Sequence, residues 1–432
     1  MATDFGRAHM VSFLDKGMPA SLQPIPIEQL GAQGWNLLRG DLPLPAAILK
    51  QSALAHNSDW MRRFLDATGT HIAPHGKTTM SPELFDLQLR DGAWAITVAT
   101  SHQLQVVQKL GYKRIVMANQ LVGAQSVQFI LEALQQDPEL DFYSLVDSIE
   151  VVAGLADVAR RMCIGRPLKV LLEGGYLGGR TGCRNLAEAL QVARAVKANS
   201  PFLALAGVEG FEGLIKSPTA ASTEQKVRCF LAYLVDIARN CAHEELFEAD
   251  PVILSAGGSH YYDLACQAFA DLDIGMPLLK LVRSGCYLTH DSSLYTASHE
   301  LFRKRNPDTE KLGPGLQPAI EVWAYVQSKP EAGVLFATMG KRDVTASPLP
   351  TPLYWFRPDG RSTKPNVMPG AHAVTELNDQ HAKLTVPADT PLAIGDMVGF
   401  GIGHPCLTFD KWRVIPVVND DYDVISAIHT YF

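Results

Sequence analysis

Between about residues 70 and 290, short apolar runs alternate with amphipathic helical stripes, and that alternation restricts the chain to a parallel α/β architecture. The first four runs are His71-Ile72-Ala73, Ala95-Ile96-Thr97-Val98, Arg114-Ile115-Val116-Met117 and Phe142-Tyr143-Ser144-Leu145-Val146. Lys169-Val170-Leu171-Leu172, Leu203-Ala204-Leu205-Ala206-Gly207-Val208, Val252-Ile253-Leu254-Ser255 and Leu278-Leu279-Lys280-Leu281-Val282 complete the set. Their nearly unbroken hydrophobicity is expected of strands buried on both faces. Between them, Leu186, Leu190 and Ala193 form an i, i+4, i+7 stripe, and Val227, Leu231 and Leu234 repeat it. Ser101 is placed to cap the helix carrying Leu104, Val107 and Leu110, and Gly111 to end it. Eight such units predict a closed (β/α)₈ barrel; an open doubly wound sheet satisfies the same periodicity.

Beyond about residue 295 the helical stripes fade and β-rich runs appear between Pro/Gly turns. They include the run 319–326, Val334-Leu335-Phe336-Ala337, Leu353-Tyr354-Trp355-Phe356, Lys383-Leu384-Thr385-Val386 and Trp412-Arg413-Val414-Ile415. The expected fold class is therefore α/β plus all-β, with a barrel over 46–295 and a β domain over 296–432. Residues 1–45 are expected to pack on the β domain, and 302–318 to form a linker or mobile surface loop. A chain of 432 residues exceeds one ordinary core, in keeping with two domains.

A net charge of -7 with both signs interspersed argues against nucleic acid or an anionic membrane as partner. No apolar run is long enough to span a bilayer, and Asp4 and Arg7 interrupt any secretory signal. The seven cysteines lack paired spacing, so Cys163, Cys183, Cys229, Cys241, Cys266 and Cys286 read as reduced, small apolar residues of a cytoplasmic protein. Cys406 stands apart because His404 lies two residues before it.

Lys77 follows the first predicted strand, at the end where a parallel barrel builds its active site. A lysine buried there has a lowered pKa, which suits imine formation and later service as a base. Pro74, Gly76 and Pro82 shape its backbone and His75 adds a polar neighbour. Ser255-Ala256-Gly257-Gly258-Ser259 and Ser284-Gly285-Cys286-Tyr287 follow consecutive strands; their amides and hydroxyls can receive a phosphate. Glu209 or Glu212 could hold a heteroaromatic nitrogen protonated, or serve only as a salt-bridge partner. Asn119 and Gln120 also end a strand. In Gly403-His404-Pro405-Cys406, alternation on an extended segment would turn the imidazole and the thiol to one ion. That donor pair favours Zn²⁺, other divalent metals being possible, and two ligands suit a catalytic ion with open positions.

Leu44-Pro45-Ala46-Ala47-Ile48-Leu49, then Asn57 and Met61, then Pro74-His75-Gly76-Lys77-Thr78 resemble the opening of fold-type III pyridoxal phosphate enzymes. The branch is the D-serine dehydratase and D-threonine aldolase group, and the resemblance runs from about residue 40 to the C-terminus. It implies an alanine racemase-type barrel with a C-terminal β domain, usually a homodimer. It makes Lys77 the Schiff-base lysine and the two Ser/Gly clusters (Ser255, Gly257, Gly258, Ser259; Ser284, Gly285, Cys286, Tyr287) the phosphate loops. Gly178-Gly179-Arg180-Thr181-Gly182 matches the family's Gly-Arg-x-Gly element, whose arginine lies beside the cofactor ring. His404-Pro405-Cys406 to Asp410-Lys411-Trp412 matches the C-terminal metal motif. Ala73 departs from the pattern, since related sequences often carry arginine there.

The aldolase branch is expected to carry a carboxylate as the second metal ligand, so Cys406 favours a dehydratase. The implied activity is a pyridoxal phosphate- and zinc-dependent lyase converting D-serine, or a related 3-hydroxy-D-amino acid, to a 2-oxo acid and ammonia. A D-threonine aldolase-type C–C lyase, an amino-acid racemase and a non-catalytic cofactor-binding protein are the alternatives. The preferred substrate among D-serine, D-threonine and 3-hydroxy-D-aspartate is not readable from the residues.

Overall fold

The computed structural model describes residues 9–359 and 361–432. The chain divides into two compact units. Arg62–Lys77 and Gln88–Gly285 form one; the described residues up to Met61, Thr78–Leu87 and Cys286–Phe432 form the other.

In the first unit all eight predicted runs are strands: β1 His71–Ile72, β2 Ile96–Val98, β3 Arg114–Gln120, β4 Asp141–Val146, β5 Leu168–Gly174, β6 Leu203–Gly210, β7 Val252–Ala256 and β8 Leu278–Val282. They are parallel and neighbour one another in chain order, with β8 returning to β1 through the pairs Leu281↔His71 and Val282↔Ile72. Closure comes from the backbone between β1 and β2. Trp94 N donates to Ile72 O at 2.7 Å and Thr97 N to Pro74 O at 2.9 Å. The open-sheet alternative is therefore excluded, and the unit is a (β/α)₈ barrel. Its interior is apolar, filled by Ala73, Ala95, Val116, Leu145, Leu171, Ala206, Ile253 and Leu281, with Tyr143 and Leu279 completing the cluster.

The helical stripes lie on Leu186–Ala198 and Ala220–His243, where Leu190, Ala193, Val227, Leu231 and Leu234 are buried. One cap shifts by a residue. Thr100, in extended conformation, accepts from Gln103 N, and Ser101 opens the helix Ser101–Lys109. Gly111 lies beyond the C-cap Leu110 with φ +89, a left-handed geometry that suits glycine.

The second unit is built on Ile320–Glu331, which pairs antiparallel with Met397–Gly401, Val334–Ala337 and Ala46–Lys50. Ala46–Lys50 also pairs in parallel with Val414–Val418, and that strand pairs with Val424–His429. Gly399 is in register with Trp323, and a Cβ at 399 would fall 2.6 Å from the indole ring. The indole is pinned by its Nε1–H to Glu321 Oε2 at 2.7 Å.

The segment 302–318 is not a loose linker. Helix Leu294–Arg305 and the 3₁₀ turn Pro307–Leu312 occupy most of it. Fully buried Asn57 ties down its C-terminal end, donating to Leu288 O at 2.9 Å and Gln317 O at 2.7 Å and accepting from Gln317 N at 2.7 Å. A buried amide has to find partners, and this backbone supplies them. Among the described residues, no helix is long and apolar enough to cross a membrane.

Candidate active site

A cleft opens at the C-terminal ends of the barrel strands. Lys77 reaches it from the 3₁₀ turn Gly76–Thr78 that follows β1. Glu173 and Glu209 come from the ends of β5 and β6, which are adjacent in register. Arg283 follows β8, while Arg180 and His75 complete the polar lining. Arg283 is buried; it pairs through Nη2 with Glu209 Oε1 and donates from Nε to Ser255 Oγ at 3.1 Å. Burial lowers its pKa to about 10. Burial, then the charges of Lys77 and Arg283, hold His75 well below the ordinary imidazole value, so its ring is neutral. Burial raises the Glu173 carboxyl, although Thr181 Oγ1 at 2.7 Å and Gln120 Nε2 at 2.5 Å donate to it.

Sequence reasoning missed Arg283 and Glu173. A single charge after an apolar strand looks like ordinary surface, and only strand-end position could have marked them. Of the residues it named, Lys77, Arg180 and Gly258 line the cleft, and the Arg180 guanidinium lies 4.9 Å from the centre of the Phe211 ring. Asn119 lines it too, but spends its amide on Ala99 O at 2.6 Å. Gln120 is the last residue of β3 and serves Glu173.

The glycine loop departs from expectation. Gly257 N and Gly258 N donate to the fully buried carboxylate of Glu212 at 3.1 and 2.8 Å. Those two amides are therefore not open donors, and Glu212 is occupied by the loop. Burial raises the Glu212 carboxyl. Ser255 Oγ is likewise engaged by Arg283. The hydroxyls of Ser284 and Ser259 meet at 3.1 Å, joining the ends of the two predicted phosphate loops.

Pyridoxal phosphate fits this cleft on two observations. Three cations, Lys77, Arg180 and Arg283, face the carboxylates Glu173 and Glu209, an excess of positive charge suited to a phosphorylated ligand. In addition, His75 Nδ1 and Glu209 Oε2 are buried without hydrogen-bond partners, and a polar ligand would supply them.

In the other unit Cys406 opens the short helix Cys406–Phe409, and Pro405 is already helical at φ -61, ψ -52. The extended alternation expected at 404–406 is absent; a turn brings the His404 side chain into hydrogen-bonding contact with the Cys406 thiol. Thr78, the residue after Lys77, has its Oγ1 3.4 Å from Cys406 Sγ, and Cys286 Sγ lies 3.8 Å away. A hydrogen bond from Cys286, reinforced by His404 and Thr78 against the opposing pull of burial, holds the Cys406 thiol well below the usual thiol range. Cys163, Cys183, Cys229, Cys241, Cys266 and Cys286 are all free thiols, as read from the sequence; Cys163 and Cys229 are exposed and the others buried, Cys286 with its sulfur against that of Cys406. Tyr287 is buried beside it in sequence. Asp291 is raised to about 6 by burial while accepting from Ser293 N and Tyr295 N, each at 2.9 Å. Among the described residues, no three His, Cys, Asp or Glu side chains are grouped as a ready-made ion site. A soft, easily ionised thiol beside an imidazole nevertheless fits a borderline-soft divalent ion.

Residues 319–418 match the family model described as "Putative serine dehydratase domain". None of the curated proteins compared with the chain matches it. Among solved structures, D-threonine aldolase from Filomicrobium marinum is 19% identical, covering 92% of this chain and 97% of its own, with a TM-score of 0.72. D-threo-3-hydroxyaspartate dehydratase from Delftia sp. HT23 is 19% identical over 92% of this chain and 99% of its own, TM-score 0.70; a cysteine-to-alanine mutant of such an enzyme is described in a metal-free form. Alanine racemase from Bacillus anthracis is 14% identical over 89% and 97%, with a TM-score of 0.55. At these identities the structural likeness establishes the fold, which is that of the alanine racemases.

Proposed function

We propose, on the premise that the chain belongs to the D-serine dehydratase and D-threonine aldolase family of fold-type III pyridoxal phosphate enzymes, that it eliminates water from a 3-hydroxy-D-amino acid. D-serine or a close relative would yield a 2-oxo acid and ammonia. The observation that carries this reading is Lys77 in a cationic cleft at the mouth of the barrel, with two arginines and two buried carboxylates around it.

Bound pyridoxal phosphate would supply an electron-withdrawing ring that stabilises negative charge at the substrate Cα. Lys77 is the residue to hold it, and the Lys77 amine is the base for the Cα proton. Arg180 and Arg283 offer cations to the ring and the phosphate, with Arg283 fixed by Glu209 and Ser255. Burial and the neighbouring charges disfavour protonation of His75, and burial favours the protonated form of the Glu173 carboxyl. Ser259, Ser284 and Gly285 are the loop residues left to meet the phosphate, since the amides of Gly257 and Gly258 serve Glu212. His404 and Cys406 would hold Zn²⁺, whose Lewis acidity at a β-oxygen would ease departure of hydroxide. Thr78 orients the thiol. The thiol, in place of a harder carboxylate, is what favours elimination of water over the cleavage carried out by the aldolase among the similar structures.

The test is turnover of D-serine, D-threonine and 3-hydroxy-D-aspartate by the purified, cofactor-loaded chain, with and without chelator. A 2-oxo acid and ammonia, lost on chelation, are expected. Glycine and an aldehyde would identify the aldolase instead, a racemised substrate the racemase, and no turnover of any 3-hydroxy-D-amino acid a binding protein. Chelator-insensitive release of the 2-oxo acid would remove the metal. The reading includes a cytoplasmic homodimer, and light scattering on the eluted peak checks the dimer.

A further inference from the structure

We propose that Cys286 is a third protein ligand of the ion held by His404 and Cys406, giving a Cys₂His set in place of a His-Cys pair. This rests on the metal reading above. Cys286 and Cys406 are 120 residues apart in sequence, both free thiols, and their sulfurs lie 3.8 Å apart. That separation has a geometric meaning. Two thiolates bound to tetrahedral zinc, each at about 2.3 Å, stand about 3.8 Å from one another. A disulfide would require about 2.05 Å.

The surroundings are those of a donor and not of a packing thiol. Cys286 is 4% exposed, yet its sulfur faces Thr78 Oγ1 at 3.9 Å as well as Cys406, so both sulfurs turn toward one hydroxyl. Thr78 thus touches both thiols and can orient them together, as outer-shell groups do for metal ligands. The His404 imidazole is already hydrogen-bonded to Cys406. The three donors do not surround a single point in the structure, so binding is expected to close them by side-chain rotation. Three protein ligands with one position open is the composition of catalytic zinc centres, whereas a His-Cys pair leaves half of a tetrahedron to solvent.

The experiment uses the full chain stripped of metal and titrated with Zn²⁺ and, separately, Co²⁺. Wild type, Cys286→Ser and Cys406→Ser are compared, with circular dichroism confirming that each is folded. Wild-type Co²⁺ protein is expected to show thiolate-to-metal charge transfer of two-sulfur intensity, falling by half in Cys286→Ser. Zn²⁺ affinity should weaken by at least the roughly 10–100-fold that losing an outer-shell partner costs, since a direct ligand is removed. A readout needing no variant is X-ray absorption at the zinc edge of the wild type, where two sulfur ligands are expected. One-sulfur intensity or a single sulfur ligand in the metal-loaded wild type overturns the proposal. If wild type takes up no metal, the ion in the proposed function falls as well. If it loads metal and Cys286→Ser is indistinguishable from it, only the third ligand falls.

Discussion

Glu209 and Arg283 form a buried ion pair in the floor of the cleft, with exposures of 1% and 6%, and its energetics can be isolated with three variants. Glu209→Gln removes the charge that compensates the guanidinium while keeping nearly the same volume. Arg283 would then keep Ser255 Oγ at 3.1 Å, Gly210 O at 3.3 Å and the new amide oxygen, all uncharged, with the field of Glu173 as the remaining negative charge. Stranding one partner of a buried pair costs about 3–5 kcal/mol, and the low exposure of both groups leaves little solvent screening to reduce it. The same range is expected for Arg283→Met, which strands Glu209, whose Oε2 already lacks a partner. Removing both charges together in the double variant should cost only about 1–2 kcal/mol, since the desolvation penalty of two ions disappears with their attraction. The coupling between the two substitutions is therefore expected to exceed about 2 kcal/mol, measured by urea unfolding of the four proteins at one pH. Glu209→Gln costing under about 1 kcal/mol, or strictly additive singles, would refute the view that these two charges hold each other in place.

Gly257→Ala places a Cβ 2.9 Å from Val282 Cγ1 and 3.0 Å from Tyr262 Cα at φ +84, so it should lose about 2–4 kcal/mol in urea unfolding; an unchanged midpoint would show that the loop yields freely. Asn57→Ala leaves Leu288 O, Gln317 O and Gln317 N without their side-chain partner and should cost about 2–3 kcal/mol, with faster proteolysis within 313–318. For Glu83, burial alone would raise the carboxyl, but the hydrogen bonds from His429 and Ser81 outweigh it and the net pKa is lowered. Its stabilisation is present above the ordinary glutamate value and is lost as pH falls through the lowered one. Glu83→Gln should therefore narrow the stability difference between about pH 6 and the acid range, read from urea midpoints at each pH.

The strands of the barrel were legible because burial on both faces writes itself as a continuous apolar run, as in Leu203–Gly210, where every residue is buried. Closure was not, since it depends on main-chain hydrogen bonds from Trp94 and Thr97 that carry no side-chain signature. Ala46–Lys50 falls within the 46–295 span expected of the barrel, yet it pairs with Ile320–Glu331 and Val414–Val418 in the antiparallel-rich sheet, a placement no local pattern announces. That Lys77 lines the cleft was legible from its place just after the first strand. Arg283 was not, because its partner Glu209 lies 74 residues earlier and nothing local distinguishes a buried arginine from a solvated one. The glycine pair at 257–258 read as an anion loop, and the anion it holds is the chain's own Glu212. Local composition specifies that anions are welcome there; it cannot specify which one arrives.

Ala73 and Arg283 bear on one another. Ala73 is fully buried in the apolar barrel interior, and its N–H donates to Val282 O at 2.9 Å, directly before Arg283. An arginine at 73 would bring a second long cation alongside Arg283, where one carboxylate, Glu209, is already committed to the first. Two guanidiniums sharing that carboxylate in a water-poor cleft would repel each other, and burial already drags the one present down to about 10. A small residue at 73 is thus what the Arg283–Glu209 pair tolerates. Ala73→Arg should accordingly destabilise the barrel by several kcal/mol unless Arg283→Met accompanies it, on the order expected for an uncompensated buried charge. If the double variant is no more stable than Ala73→Arg alone, the two positions do not exchange a cation, and Ala73 reflects interior packing only.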